Sequence, residues 1–182
     1  MAKRKRTLTD EERKLIVEHS AKITPLRGQF LTNLAEIESI LGDTMAFHFY
    51  PGDKNKRDEF TSLMIYESGI QFHVKIRLFV KILKLYHKNL YSKFPDLEED
   101  LEKLKTFRNV LAHSRLNVEP KNIAKHPDLF RFEHYKDGKM GFTAVTEDIF
   151  SEKLKLAAKI FHELLDIQDK ISNHESSRME IV

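Results

Sequence analysis

Apolar residues recur at every third or fourth position through most of this 182-residue chain, and that spacing most restricts how it can fold. At roughly 100° per residue, such a pattern lines one face of an α-helix. Phe30, Leu34, Ile37 and Leu41 form one stripe, and Phe72, Ile76, Phe79 and Leu83 a second. Phe150, Leu154, Ala157, Phe161 and Leu164 form a third. One segment breaks the rule: LFRFEHYKDGKMGFTAV, 129–145, alternates with period two around Asp137-Gly138, a dipeptide suited to the tight turn of a β-hairpin. The spacing predicts a mainly α fold, a helical bundle with a small β-hairpin inserted before the last helix.

Local signals place the boundaries. Thr9 and Glu12 have the spacing of a capping box that opens a short polar helix, which Pro25 is expected to close. A helix from Leu26 is expected to stop at Gly42, and FHFYPGDKNKRDEF then reads as a loop turning at Pro51-Gly52. A short helix from Asp58 to about Glu67 breaks near Ser68-Gly69, and a long one from Phe72 ends near Tyr91. Asp96 is placed to cap the next helix, with Glu99 at the reciprocal position, and Thr146 caps the last. The chain divides into a basic arm and short helix over 1–25, a helical domain over 26–172 and a polar, frayed tail over 173–182. No repeat, low-complexity tract or linker marks a second domain.

Hydrophobic residues make up 41% of the chain and charged residues 32%, a balance that excludes disordered, fibrous and membrane classes. The absence of cysteine removes disulfides, thiolate zinc sites and Cys nucleophiles together, and fits a reducing, cytoplasmic setting. The start MAKRKRTLTDEER is basic but lacks the apolar stretch of a signal peptide, and no run reaches the length of a membrane span. A net charge of +3 permits a nucleic-acid partner without requiring one. No His-Glu-x-x-His spacing and no Gly-rich phosphate loop appears, so neither a metal nor a cofactor is expected.

The stretch KTFRNVLAHSRL, 105–116, carries the chemistry. Leu97, Leu101, Leu104 and Leu111 share one helical arc, and Arg108 falls inside it, where another leucine would suit. Burying a guanidinium without a partner costs several kcal/mol, so the position calls for a carboxylate, carbonyl oxygens or a bound anion. Removing such a side chain is expected to raise thermal stability. A structural account has Arg108 extending its head past the bundle edge, or pairing with a structural glutamate. A functional account notes that Asn109 and His113 lie one turn apart on the adjacent face. A permanent cation, an amide and a titratable imidazole within six residues supply charge stabilisation, positioning and proton transfer.

Arg108-Asn109-Val110-Leu111-Ala112-His113 resembles the R-N-x-x-A-H form of the motif of the HEPN superfamily, the higher eukaryotes and prokaryotes nucleotide-binding domains. FLTNLAEIESIL with FHFYP, and SGIQFHVKIRLF, are similar to segments that precede the motif in prokaryotic members, and the resemblance spans about Leu26 to Ile171. It implies a HEPN-like antiparallel helical bundle and metal-independent RNA cleavage in a cleft between two protomers of a homodimer. In that family His113 would move a proton as the ribose 2′-hydroxyl attacks phosphorus. Arg108 would neutralise the transition state, and Asn109 would orient the imidazole or a phosphate oxygen. The setting implied is defence, a toxin system with a cognate antitoxin or regulator, or RNA processing. Ser114-Arg115 follows His113, so the tyrosine two residues after the histidine in one toxin branch is missing. The alternative is a catalytically silent HEPN-like module that binds RNA, nucleotides or protein.

Glu38, beside the stripe residue Ile37, is the expected structural counterion of Arg108. Arg77, Lys81, Lys84 and Lys88 form a basic stripe opposite the apolar face of their helix, and with Arg115 they are candidate RNA-binding residues or a solvated surface. The arm residues Lys3 to Arg6 could add to the same attraction. The hairpin aromatics Phe130, Phe132, Tyr135 and Phe142 could stack on bases where exposed, but half of an alternating hairpin must cover the bundle, and packing is the first expectation for them.

Overall fold

The computed structural model describes residues 7–65, 70–136 and 139–179. The basic arm, the Ser68-Gly69 break and the Asp137-Gly138 turn dipeptide lie outside them. The chain is mainly helical, with one small antiparallel sheet, and no described helix is long and apolar enough to cross a membrane.

Helix α1 spans Asp10–Phe49. Its start is the expected capping box: Thr9 Oγ1 accepts from the Glu12 N–H at 3.2 Å, and the Thr9 N–H donates to Glu12 Oε2 at 3.0 Å. Asp10, Glu11 and Glu12 add negative charge where the helix dipole is positive. Neither expected stop operates, for the helix runs through Pro25 and Gly42 as forty unbroken residues. Pro25 deletes one helical hydrogen bond, yet Ile23 and Phe30 on either side are buried, and α1 packs along the last helix, α7 (Glu147–Met179). Met45 and Ala46, beyond Gly42, are buried as well, so packing carries the helix past both breakers.

The chain turns at Pro51-Gly52 and re-enters helix at once as α2, Lys54–Ile65, so the expected loop is shorter and the expected helix starts earlier. Helix α3, Phe72–Tyr86, buries Phe72, Ile76, Phe79 and Leu83 as its spacing demands. It ends at His87 (φ −129°, ψ 41°), ahead of a single turn, α4, Lys88–Tyr91, where one longer helix was expected. Helix α5, Leu97–His113, begins after Asp96, whose side chain makes no capping bond because its backbone is already αR. Glu99 pairs instead with Lys103 at 2.9 Å.

After α5, strand β1 (Arg115–Leu116) and helix α6 (Pro120–Lys125) precede the hairpin of β2 (Phe130–Lys136) and β3 (Lys139–Val145). The hairpin is antiparallel, as the alternation requires, with Phe130 opposite Val145 and Tyr135 opposite Met140. Strand β1 adds a third, antiparallel edge, Arg115 opposite Glu133 and Leu116 opposite Phe132, which two residues of sequence could not announce.

In α7, Phe150, Ala157 and Leu164 are buried, while Leu154 and Phe161 sit at the flank. Ile160, Ile167 and Ile171 complete the buried stripe, and the helix continues to Met179, past the expected start of the tail. Thr146 Oγ1 accepts from the Ile149 N–H at 3.3 Å at its start. Phe107 links three helices: its ring meets Phe30 of α1 at 4.9 Å and Phe150 of α7 at 5.2 Å, both edge to face.

Candidate active site

Phe107, 7% exposed, fills the core position between Leu104 and Leu111, so the neighbouring Arg108 is half-buried at the bundle edge. There it lines a cleft of about 930 Å³ together with Asn109 and His113, both exposed. The C-terminal half of α5 forms one wall. The segment from Ile70 into α3 forms another, bringing Gln71 and His73, and the end of β2 contributes His134 and Tyr135. Arg108 Nη1 donates to Asn109 Oδ1 over a long 3.5 Å. Among the described residues Arg108 has no carboxylate partner. The helix closes at Ser114, whose N–H donates to the Val110 carbonyl at 3.1 Å as the backbone turns extended (φ −105°, ψ 148°). His113 therefore stands on the last helical turn, where the chain leaves α5 for the sheet.

Glu38 also lines the cleft, but its carboxylate engages a different cation from the one expected. Lys75 Nζ of α3 donates to Glu38 Oε1 at 2.5 Å, and the lysine is 1% exposed. A buried ammonium needs such a partner more than a half-exposed guanidinium does, and Lys75 has first claim on the carboxylate. Lys75 was legible by the logic applied to Arg108, because it falls three residues after Phe72 and four before Phe79, inside the apolar stripe of α3. Lys105, which also lines the cleft, pairs with Glu102 one turn back.

The basic stripe lies elsewhere. Arg77, Lys81, Lys84 and Lys88 are exposed and none lines the cleft, and the break at His87 puts Lys88 on α4. Lys84 donates to Glu98 at 2.5 Å and sits 5.3 Å from the Tyr91 ring centroid. The hydrogen bond that Lys84 donates to Glu98 raises the Lys84 ammonium above its ordinary range and lowers the Glu98 carboxyl, so this lysine is part of a surface ion pair. Arg115 is exposed on β1, two residues beyond His113.

Sequence reasoning missed His73, Lys75, His134 and Tyr135 as cleft residues. All come from segments remote in sequence from α5, and only folding brings them beside it. Among the described residues no group of three or more His, Asp or Glu is arranged to hold a metal ion. Comparison with family models, curated proteins and solved structures finds no match to this chain.

Proposed function

We propose that this chain is a metal-independent endoribonuclease of HEPN type that works as a homodimer. The observation that carries the reading is Arg108, a guanidinium on the cleft wall with no carboxylate partner among the described residues, beside Asn109 and His113. A permanent cation so placed attracts a phosphate. With a titratable imidazole on the same helix, it supplies the two groups that transesterification of RNA uses. His113 accepts the 2′-hydroxyl proton as that oxygen attacks the adjacent phosphorus, and the bond from phosphorus to the 5′-oxygen breaks as that oxygen takes a proton from water. Products carry a 2′,3′-cyclic phosphate and a 5′-hydroxyl. Arg108 neutralises the charge that builds on the phosphoryl oxygens. Asn109, whose Oδ1 accepts the long 3.5 Å contact from Arg108, keeps its amide N–H groups for a phosphate oxygen. Lys75 engages the Glu38 carboxylate, which keeps that carboxylate from pairing with Arg108.

Incubation of the purified protein with labelled RNA in excess EDTA, beside His113→Ala and Arg108→Ala, tests the reading. His113→Ala is expected to slow cleavage by about 100-fold to 10,000-fold. Arg108→Ala is expected to cost about 100-fold to 1,000-fold. Because Arg108 is half-buried and not enclosed, its removal should leave the melting temperature close to that of the parent, not raise it as full burial would imply. If both variants cut like the parent, or the parent cuts no RNA, the reading passes to a HEPN-like module that binds without cleaving.

A further inference from the structure

The three-stranded sheet has two faces with opposite characters. Inward point Phe130, Phe132 and Val145, all at 1% exposure or less. Outward point Arg131, Glu133 and Tyr135 of β2 and, across the register, Ala144, Phe142 and Met140 of β3. An outward face is ordinarily polar. Here Tyr135 is 78% exposed, Met140 64% and Phe142 58%. Strand β1 adds Arg115 to this face, opposite Glu133. The Arg131 guanidinium lies 4.1 Å from the Phe142 ring centroid, a cation held over an aromatic. Among the described residues the one carboxylate on the face, Glu133, accepts from Asn117 Nδ2 at 2.5 Å.

Exposed rings flanked by arginines are what single-stranded nucleic acid binds: every base has a π-face to stack, and the backbone follows the positive charge. Position supports this occupant. Tyr135 belongs both to the face and to the wall of the cleft, and Arg115 follows His113 by two residues, so the face adjoins the cleft. Taking RNA as the ligand of the cleft from the function proposed above, we propose that the outward face of β1, β2 and β3 is a base-stacking platform for unpaired RNA. Tyr135 receives the base that leaves the cleft and Phe142 the next, while Arg115 and Arg131 hold the backbone. Paired bases present no free face to these rings, so the substrate class is single-stranded or loop RNA.

Fluorescence anisotropy with a labelled, unstructured RNA of about 12 nucleotides, free or annealed as a duplex, tests the platform. Binding is read in the His113→Ala chain so that cleavage does not intervene. Adding Tyr135→Ala or Phe142→Ala should weaken single-strand binding by about 5-fold to 100-fold. Tyr135→Phe and Phe142→Tyr, which keep a ring, should remain within about twofold. The duplex should bind less tightly and ignore all four changes. Unmoved single-strand affinity, equal loss in the ring-preserving variants, preference for the duplex or no RNA binding overturns the proposal. So does light scattering in which the alanine variants change the oligomeric state, since the face would then be a protein contact. A chain that binds in the expected pattern yet cleaves nothing keeps the platform and loses the nuclease. A chain that cleaves while its alanine variants bind like their parent keeps the nuclease and loses the platform.

Discussion

Asp100 of α5 is the acidic side chain that the core encloses, at 5% exposure, and its surroundings set a pH dependence. Burial pushes its carboxyl up, but hydrogen bonds from Lys159 Nζ at 2.7 Å and Lys103 Nζ at 2.9 Å outweigh that and hold it below the ordinary range. Glu163, one turn beyond Lys159, goes the other way: burial raises it, Lys159 at 3.7 Å relieves it only partly, and its Oε2 is buried without a hydrogen bond. The unfolded chain protonates Asp100 more readily than the native one. Asp100 therefore stabilises the fold above the ordinary carboxylate pKa, and that contribution is lost as pH falls through its lowered native value. For Glu163 the native form binds the proton more readily, so its contribution declines as pH rises from the ordinary carboxylate pKa through its raised value. Asp100→Asn should lower stability at neutral pH by roughly 1–3 kcal/mol, with the deficit shrinking as pH falls below the ordinary carboxylate pKa. Glu163→Gln should be neutral or stabilising at neutral pH and lose any advantage in acid. Thermal melts of both variants across that range check the pair, and a shared sign would contradict it. Single residues were partly legible in the sequence. Arg108 and His113 stood out by charge on an amphipathic helix, whereas Lys75 and Asp100 gained their meaning from partners 37 and 59 positions away.

At the scale of elements, periodicity and the caps at Thr9 and Thr146 read well, and helix stops read poorly. The stripes of α3 and α5 and the alternation of β2 and β3 were legible because each reports a face that must be buried. Pro25 and Gly42 misled because a local preference of about 1–3 kcal/mol yields to the packing of forty residues along α7. Strand β1 and helix α6 were too short to show a period. Pro25 itself is exposed, so replacing it removes no buried surface. Pro25→Ala restores one helical hydrogen bond but frees the unfolded chain, and the balance favours the folded state by about 1–2 kcal/mol. At about 2–4 °C per kcal/mol for a chain of this size, the melting temperature should rise by several degrees. A fall would show that a bend at Pro25 is needed to seat α1 against α7.

At the scale of the whole molecule, the cleft is assembled from α1, α3, α5 and β2, and no single stretch of sequence contains enough of it to reveal its outline. What the sequence did show was one wall, because Arg108, Asn109 and His113 share a helix. On that helix Arg108 and His113 diverge by more than a third of a turn, and Arg108 is half-buried while His113 is exposed. Both line one cleft but leave the helix at different angles, and a two-fold partner can bring a second copy of each to a shared phosphate. Light scattering at micromolar concentration should accordingly give twice 21.4 kDa. Mixing two inactive variants asks which copy supplies which group. In a mixed dimer of Arg108→Ala and His113→Ala, a site that joins Arg108 of one protomer to His113 of the other is intact once. With random exchange half the dimers are mixed and each holds one working site of two, so mixing should restore about a quarter of the parent activity. If each site is complete within a single protomer, neither copy in the mixed dimer has both groups, and mixing should restore nothing.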